Sequence, residues 1–178
     1  MEKYFIRYKP FLVFLSAFFI TYIVLTVFYQ YYLNSFGETK LDSISRMVAR
    51  NTEQVLQLFD KNASADDSKS ELYVALMYHQ KYIARIVEGC NAVSVIILFI
   101  SFVVAFSGKL KTTLLFIFGG SILIYVLNIL RIAFLCILLS HFPEQRHFLH
   151  DIFFPLFIYG VVFILWVIWV RKFSKYAK

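Results

Sequence analysis

The chain contains apolar runs that are longer than a buried helix of a soluble protein usually needs. The two longest cover about residues 10–33 and 114–140, and each exceeds the roughly 20 residues that cross about 30 Å of hydrocarbon. Lipid offers no hydrogen-bond partner to a backbone N–H or C=O group, so such a run folds as a helix. With 60% hydrophobic and only 16% charged residues, the chain is expected to be an all-α integral membrane protein.

Four apolar runs are predicted to span the membrane. Besides residues 10–33 and 114–140, they cover about residues 91–106 and 152–170. No small-residue cleavage site follows the first run, so we interpret it as a retained anchor and not as a signal peptide. We therefore expect one membrane domain over residues 1–178, with about four transmembrane helices.

The longest polar stretch is residues 35–89, in which seven Lys or Arg residues accompany eight Asp or Glu residues. It is too polar to cross lipid and is predicted to be the extracytoplasmic segment. Residues 62–68 are predicted to be a loop, and the aromatic and β-branched runs on either side of residues 79–81 predict a short hairpin. Apolar residues at helical spacing predict a short amphipathic helix within residues 41–61, lying on the membrane. These apolar residues are Ile44, Val48, Val55 and Phe59.

The basic residues lie mostly in short segments that flank the apolar runs. Nine Lys or Arg residues occur in the head, in the turn at 107–113 and in the tail, against one in the loop 141–151. Short basic segments stay in the cytoplasm, so an even number of spans predicts that both termini are cytoplasmic. The net charge of +7 is not gathered into one aromatic-rich face, so the expected partner is the lipid bilayer and not nucleic acid. The nine basic residues are Lys3, Arg7, Lys9, Lys109, Lys111, Arg171, Lys172, Lys175 and Lys178.

Arg131 is a charged residue inside the third apolar run. Such a residue costs about 2.5–3.5 kcal/mol at the bilayer centre and usually faces a partner or a cavity. It lies about 25 Å along the helix from Leu114, toward the outer leaflet, and Asn128 shares its helical face. The alternative is that Arg131 reaches the outer headgroups and takes no part in chemistry.

Three types of reactive side chain are expected at the outer rim of the membrane. Cys90 begins the second span, Arg131 lies in the third, and His147 and His150 precede the fourth. A thiolate attacks carbonyls, an imidazole transfers protons, and a guanidinium stabilises a thiolate or an oxyanion. Cys90 by itself is more typical of a small packing residue at a helix end than of a nucleophile, and Cys136, inside an apolar run, is interpreted as a packing residue. We expect no disulfide, no cofactor and no metal, since zinc would have only one outer cysteine as a ligand.

Three local patterns resemble the exosortase and archaeosortase family of membrane-embedded cysteine enzymes. Residues 87–92, Val-Glu-Gly-Cys-Asn-Ala, are similar to the family's acidic segment whose cysteine opens a helix. Residues 128–132 contain its Asn-x-x-Arg motif, and His150-Asp151, followed by an aromatic span, resembles its histidine motif. The family's usual Ser-Gly after the cysteine is here Asn91-Ala92. The resemblance covers roughly residues 72–169 and is nearest to the compact F-type exosortases, which carry a Glu-Gly-Cys-Asn segment.

The resemblance implies a cysteine transpeptidase of the bacterial cytoplasmic membrane, with its active site on the extracytoplasmic side. Cys90 would form a thioester, Arg131 would stabilise the developing charge, and His150 would act as acid and base, with His147 as its rival. The implied substrate is a secreted protein with a C-terminal sorting signal, made of a short motif, one membrane helix and a basic cluster. The enzyme would remove this tail and transfer the protein to an acceptor.

Two other functions are compatible with these residues. The first is a non-enzymatic membrane assembly or anchoring subunit, in which residues 35–89 bind a partner and Arg131 pairs across a helix interface. Such a function would not depend on Cys90. The second is a fragment of a transporter or channel, in which Asn128 and Arg131 line a path for anions. A single buried charge and the lack of a pair of broken helices in the sequence make this the weaker alternative.

Overall fold

The computed structural model describes residues 2–37, 39–68, 70–106 and 108–173, with the side chains given from residue 8 onward. Lys175 and Lys178 of the predicted basic tail, Ser107 of the predicted turn, and the side chains of Lys3 and Arg7 lie outside this description. The described residues are mainly helical, as predicted for a membrane protein built of helices. The helices are α1 (Glu2–Asn34), α2 (Ser43–Gln57), α3 (Val93–Ala105), α4 (Leu110–His141) and α5 (Phe154–Lys172), and the strands are β1 (Ser64–Asp66), β2 (Val74–Tyr78) and β3 (Lys81–Ile86).

Three helical segments of the described chain are long and apolar enough to cross a membrane. They are Tyr8–Asn34, Leu110–His141 and Phe148–Lys172, and they correspond to the first, third and fourth predicted spans. The second predicted span is the shorter helix α3, whose 13 residues rise about 20 Å, less than the roughly 30 Å of hydrocarbon. The structure therefore has three candidate spans, and the count of four and the cytoplasmic location of both termini stay predictions.

Helix α3 lies at the centre of the apolar helices and contacts α1, α4 and α5. Phe102 of α3 stacks on Trp166 of α5, with ring centroids 4.2 Å apart. On the α4 side, a Cβ atom added to Gly120 would lie only 2.3 Å from Cζ of Phe99, so the absence of a side chain at Gly120 permits the close approach of the two helices. This packing places the start of α3, which follows Cys90, beside the second half of α4.

Helix α2 and a three-stranded antiparallel sheet pack against the second half of α4. The strand order is β1-β2-β3, and the turn between β2 and β3 is formed by His79 and Gln80, whose φ angles are 50° and 60°. Two left-handed residues are typical of a type I′ turn, so the predicted hairpin is confirmed. The buried residues that join helix, sheet and α4 include Val48, Leu56, Leu76, Ile86, Ile129, Ala133 and Cys136.

Three predictions for the polar segments differ from the structure. Residues 62–68 are not all loop, because Ser64–Asp66 pair with β2 as an edge strand too short to show a periodic pattern. The amphipathic helix ends at Gln57, so the predicted apolar-face residue Phe59 lies beyond it and is exposed. The buried face of α2 contacts the sheet and α4. The predicted loop 141–151 is partly helical, with a 3₁₀ turn at Pro143–Gln145 and a π-helical turn that begins in the loop and covers Phe148–Phe153. These turns were not predicted, because their mixed polar and aromatic sequence shows no helical periodicity.

Candidate functional site

Cys90 lies in the connection between β3 and α3, where the backbone is irregular. Its N–H donates to the carbonyl of Val87 at 3.1 Å, and Gly89 and Ala92 on either side have φ angles of 89° and 60°. Glycine adopts such a left-handed conformation freely, whereas an alanine is strained in it. The sharp path of this segment presents a half-buried Cys90 thiol just before the first turn of α3.

Asn91, the residue that follows Cys90, is held in place by three hydrogen bonds of its side chain. Its side chain is 1% exposed, and its Nδ2 group donates to the hydroxyl of Tyr29 at 2.8 Å and to Oγ of Ser45 at 3.1 Å. Its Oδ1 atom accepts the N–H of Val93 at 3.0 Å, which satisfies one of the free N–H groups at the start of α3. One amide thus joins α1, α2 and α3 beside the cysteine.

Asn128 and Arg131 approach the cysteine segment from α4. Asn128, also 1% exposed, donates from Nδ2 to the carbonyl oxygen of Cys90 at 2.8 Å. The Arg131 guanidinium lies close enough to the Cys90 thiol and to the Tyr159 hydroxyl to interact electrostatically with both. Its Nε atom is buried and has no hydrogen-bond partner within the described residues. A buried N–H without a partner is costly, so Arg131 keeps one unsatisfied donor within the described residues.

Tyr159 of α5 is a member of this group that the sequence did not indicate. It lies in an aromatic span, where a tyrosine is no more conspicuous than its neighbours. Its side chain is exposed on α5 while its hydroxyl interacts with Arg131. Predicting that Tyr159 lies beside Arg131 would have required the axial register between α4 and α5.

A groove of about 550 Å³ lies between α4 and the first turns of α5. Its surface is apolar, and Arg131 is the one charged residue among its described lining residues. Arg131, which interacts electrostatically with Cys90, thus also forms part of the wall of this groove. The remaining lining residues are Leu127, Leu130, Phe134, Ile137, Leu138, Phe153, Phe154 and Phe157.

The two candidate histidines share one carboxylate at the start of α5. Nδ1 of His150 donates to Oδ1 of Asp151 at 2.6 Å, and Nδ1 of His147 donates to Oδ2 of the same residue. The side chain of His147 is 86% exposed and that of His150 is 55% exposed. His150 lies in the π-helical turn Phe148–Phe153, just before α5. It is not among the described residues that line the groove, although Phe153 and Phe154 of the same segment are.

The structure brings two of the three predicted site residues together. Cys90 and Arg131 interact, whereas His150 forms no hydrogen bond with either of them in the part of the chain that the structure describes. Tyr159, which Arg131 does reach, follows His150 by nine positions, or about 13 Å along a helix axis. His150 thus lies before the start of α5, and the three residues do not form a hydrogen-bonded triad in this structure.

The sequence was compared with protein families, curated proteins and solved structures, and one family matches it. A family model described as "Transmembrane exosortase (Exosortase_EpsH)" matches residues 7–169. No curated protein and no solved structure matches the chain. The matched range includes Cys90, Asn128, Arg131, His150 and Tyr159, and it covers more than half of the sequence.

Proposed function

The chain belongs to the transmembrane exosortase family, and on that premise we propose that it is a membrane-embedded cysteine transpeptidase that removes C-terminal sorting tails from secreted proteins. The family itself suggests a membrane transpeptidase. The observation that carries the assignment of residues is the pairing of Cys90 with Arg131, which has a free buried N–H. The F-type subfamily, the bacterial cytoplasmic membrane, cytoplasmic termini and an extracytoplasmic active site belong to the same proposal.

The first half of the proposed reaction forms a thioester. The thiolate of Cys90 attacks the carbonyl carbon of the scissile peptide bond, and a C–S bond forms as the carbonyl oxygen becomes an oxyanion. Arg131 stabilises the thiolate and then the oxyanion through its charge and its free N–H donor. The C–N bond breaks, His150 gives a proton to the leaving amine, and the tail departs.

The second half transfers the acyl group to an acceptor. An amine or another nucleophile attacks the thioester carbonyl, and His150 takes the proton that this nucleophile loses. The C–S bond breaks and the Cys90 thiolate is restored. His150 lies three positions before Phe153, which lines the same groove as Arg131, and in this proposal it acts on an acyl group held there. Asp151 supports this role, because it accepts a hydrogen bond from the Nδ1–H group of His150 and leaves Nε2 of His150 free to exchange a proton.

The proposal is tested by co-expressing the chain with a secreted protein that carries a sorting tail and following tail removal on a gel. Cys90→Ala is expected to abolish processing, and Arg131→Ala and His150→Ala are expected to reduce it by at least about a hundredfold, the usual range for such groups. Cys136→Ala is the matched control, since this second thiol is buried in the core away from Arg131. Normal processing by Cys90→Ala would refute the proposal.

Two further comparisons separate the remaining alternatives. His147→Ala should retain more activity than His150→Ala, because the His147 side chain is the more exposed of the two. A thiol reagent that does not cross membranes should label Cys90 from the extracytoplasmic side, and labelling only from the cytoplasm would overturn the proposed orientation. A non-enzymatic subunit would function equally well with Cys90 replaced.

A further inference from the structure

We propose that Asn128 is a positioning residue, which holds the main chain of Cys90 so that its thiol lies against Arg131. The inference rests on the proposed function for the importance of Cys90. The contact on which it depends is the hydrogen bond of 2.8 Å from Nδ2 of Asn128 to the carbonyl oxygen of Cys90.

Asn128 and Arg131 occupy the same turn of α4. They are three positions apart, about 4.5 Å along the axis, and such residues point to the same side of a helix. The amide is bound to the Cys90 main chain and the guanidinium interacts with the Cys90 thiol. A single rigid turn therefore sets the position of the nucleophile and the position of its cation.

The cysteine segment needs such a tether because its own backbone provides little order. Between β3 and α3 it forms one turn hydrogen bond, from the N–H of Cys90 to Val87. The side chain of Asn91 binds Tyr29 and Ser45 of α1 and α2, but not α4. Among the hydrogen bonds of the described residues, the bond from Asn128 is the one that joins segment 87–92 to the helix of Arg131.

Asn128 acts through Cys90 and not on the substrate. Its side chain is 1% exposed, and it is absent from the residues that line the groove between α4 and α5. A substrate that enters the groove meets Arg131 but not Asn128. Replacement of Asn128 should consequently lower kcat for tail removal and leave KM unchanged, whereas a residue that binds substrate would change KM.

The decisive experiment measures alkylation of Cys90 by iodoacetamide at one fixed pH, using the full chain in detergent. Cys136→Ala serves as the background, so that Cys90 is the thiol that reacts. Asn128→Leu, which has a similar volume but no donor, is expected to slow alkylation roughly tenfold, the rate equivalent of one hydrogen bond. Tyr125→Phe is the matched control, because it removes a different bond on α4, the 2.8 Å bond that its hydroxyl accepts from Asn51, and should leave the rate unchanged.

A double-mutant cycle separates positioning from a general loss of stability. Arg131→Ala should slow alkylation as well, and adding Asn128→Leu to it should cause little further loss, because the two residues act on the thiol together. Equal rates for Asn128→Leu and Tyr125→Phe, or losses that multiply in the double variant, would overturn the inference. Asn128→Ala must behave in the same way and replaces Asn128→Leu if the leucine variant does not fold.

The alkylation assay contains no sorting-tail substrate, so its result does not depend on whether the chain removes sorting tails. A chain that removes no tails but retains the coupling between Asn128 and Arg131 would contradict the transpeptidase and support the positioning role. A chain that needs Cys90 for processing but shows no effect of Asn128→Leu on kcat or on alkylation would support the transpeptidase and refute the positioning role.

Discussion

Replacing Gly120 by alanine tests the contact between α3 and α4 on which the candidate site depends. A Cβ atom at Gly120 would lie 2.3 Å from Cζ and 2.7 Å from Cε1 of Phe99, whereas carbon atoms in contact are normally about 3.5–4.0 Å apart. The ring or the helix would therefore have to move by more than about 1 Å. The Phe99 side chain is fully buried and has little space to move.

The expected change in the free energy of unfolding is judged against the same substitution at the neighbouring Gly119. Overfilling a packed core costs about 1–3 kcal/mol, and Gly120→Ala incurs this cost. A Cβ atom at Gly119 meets nothing within 4 Å, and alanine there should gain about 0.5–1 kcal/mol from the lower flexibility of the unfolded chain. Because this backbone gain applies to both substitutions, the two adjacent variants should differ by about 1–3 kcal/mol, the cost of overfilling the core.

Thermal unfolding in detergent, followed by circular dichroism, measures this difference. Phe99→Leu in the Gly120→Ala background should recover part of the loss, because it removes the ring atoms that collide. Cys90 alkylation should slow in Gly120→Ala as well, since α3 and Cys90 move relative to Asn128. Equal stability of the two glycine variants would refute the close packing of α3 against α4.

Three other predictions concern the turns around the site. Ala92→Gly should raise the unfolding temperature, because it removes a left-handed alanine that costs roughly 1 kcal/mol, and a lower unfolding temperature would contradict the φ angle of 60°. The backbone N–H groups of Asn62 and then His79 hold the pKa of the Asp60 carboxyl below its ordinary value of 3.8. The ionised carboxylate therefore stabilises the fold above pH 3.8, and this stabilisation is lost as the pH falls through the lowered pKa. In a series of unfolding temperatures measured at different pH values, Asp60→Asn should remove this loss of stability at acid pH. An unchanged pH dependence would contradict the role of Asp60. Asp151→Asn should slow tail removal by at least about tenfold at unchanged stability, because an amide offers one acceptor oxygen and no negative charge to two imidazoles that each bind a carboxylate oxygen, and normal processing would exclude this orienting role.

Several features of the fold could be predicted from local patterns in the sequence. Run length identified the three helices that are long enough to span lipid, because backbone groups in hydrocarbon must bond within their own segment. Aromatic and β-branched runs on either side of residues 79–81 identified the hairpin, in which β2 pairs with β3. The three-residue strand β1 and the π-helical turn at Phe148–Phe153 escaped prediction, because neither is long enough to show its period.

Parts of the candidate site were also visible in the sequence. Arg131 stood out because a charge inside an apolar run is costly, and the motif around Cys90 suggested a family that the comparison confirmed. The partners of these residues were not visible. Tyr159 and Asn91 lack any local anomaly, and the groove between α4 and α5 depends on the crossing of two helices.

The sequence by itself determined that the chain belongs in a membrane, where its long helices run, and which unusual side chains they carry. These properties depend on the hydrophobicity and the spacing of residues within a single segment of the sequence. Only the tertiary structure decided that Asn128 binds the main chain of Cys90, 38 positions earlier, and that Arg131 interacts with Tyr159 of α5 while His150 lies in the turn before that helix. Such contacts depend on how α3, α4 and α5 cross and on their axial register, which are set by close packing at residues such as Gly120 and Phe99 and leave no periodic trace in the sequence.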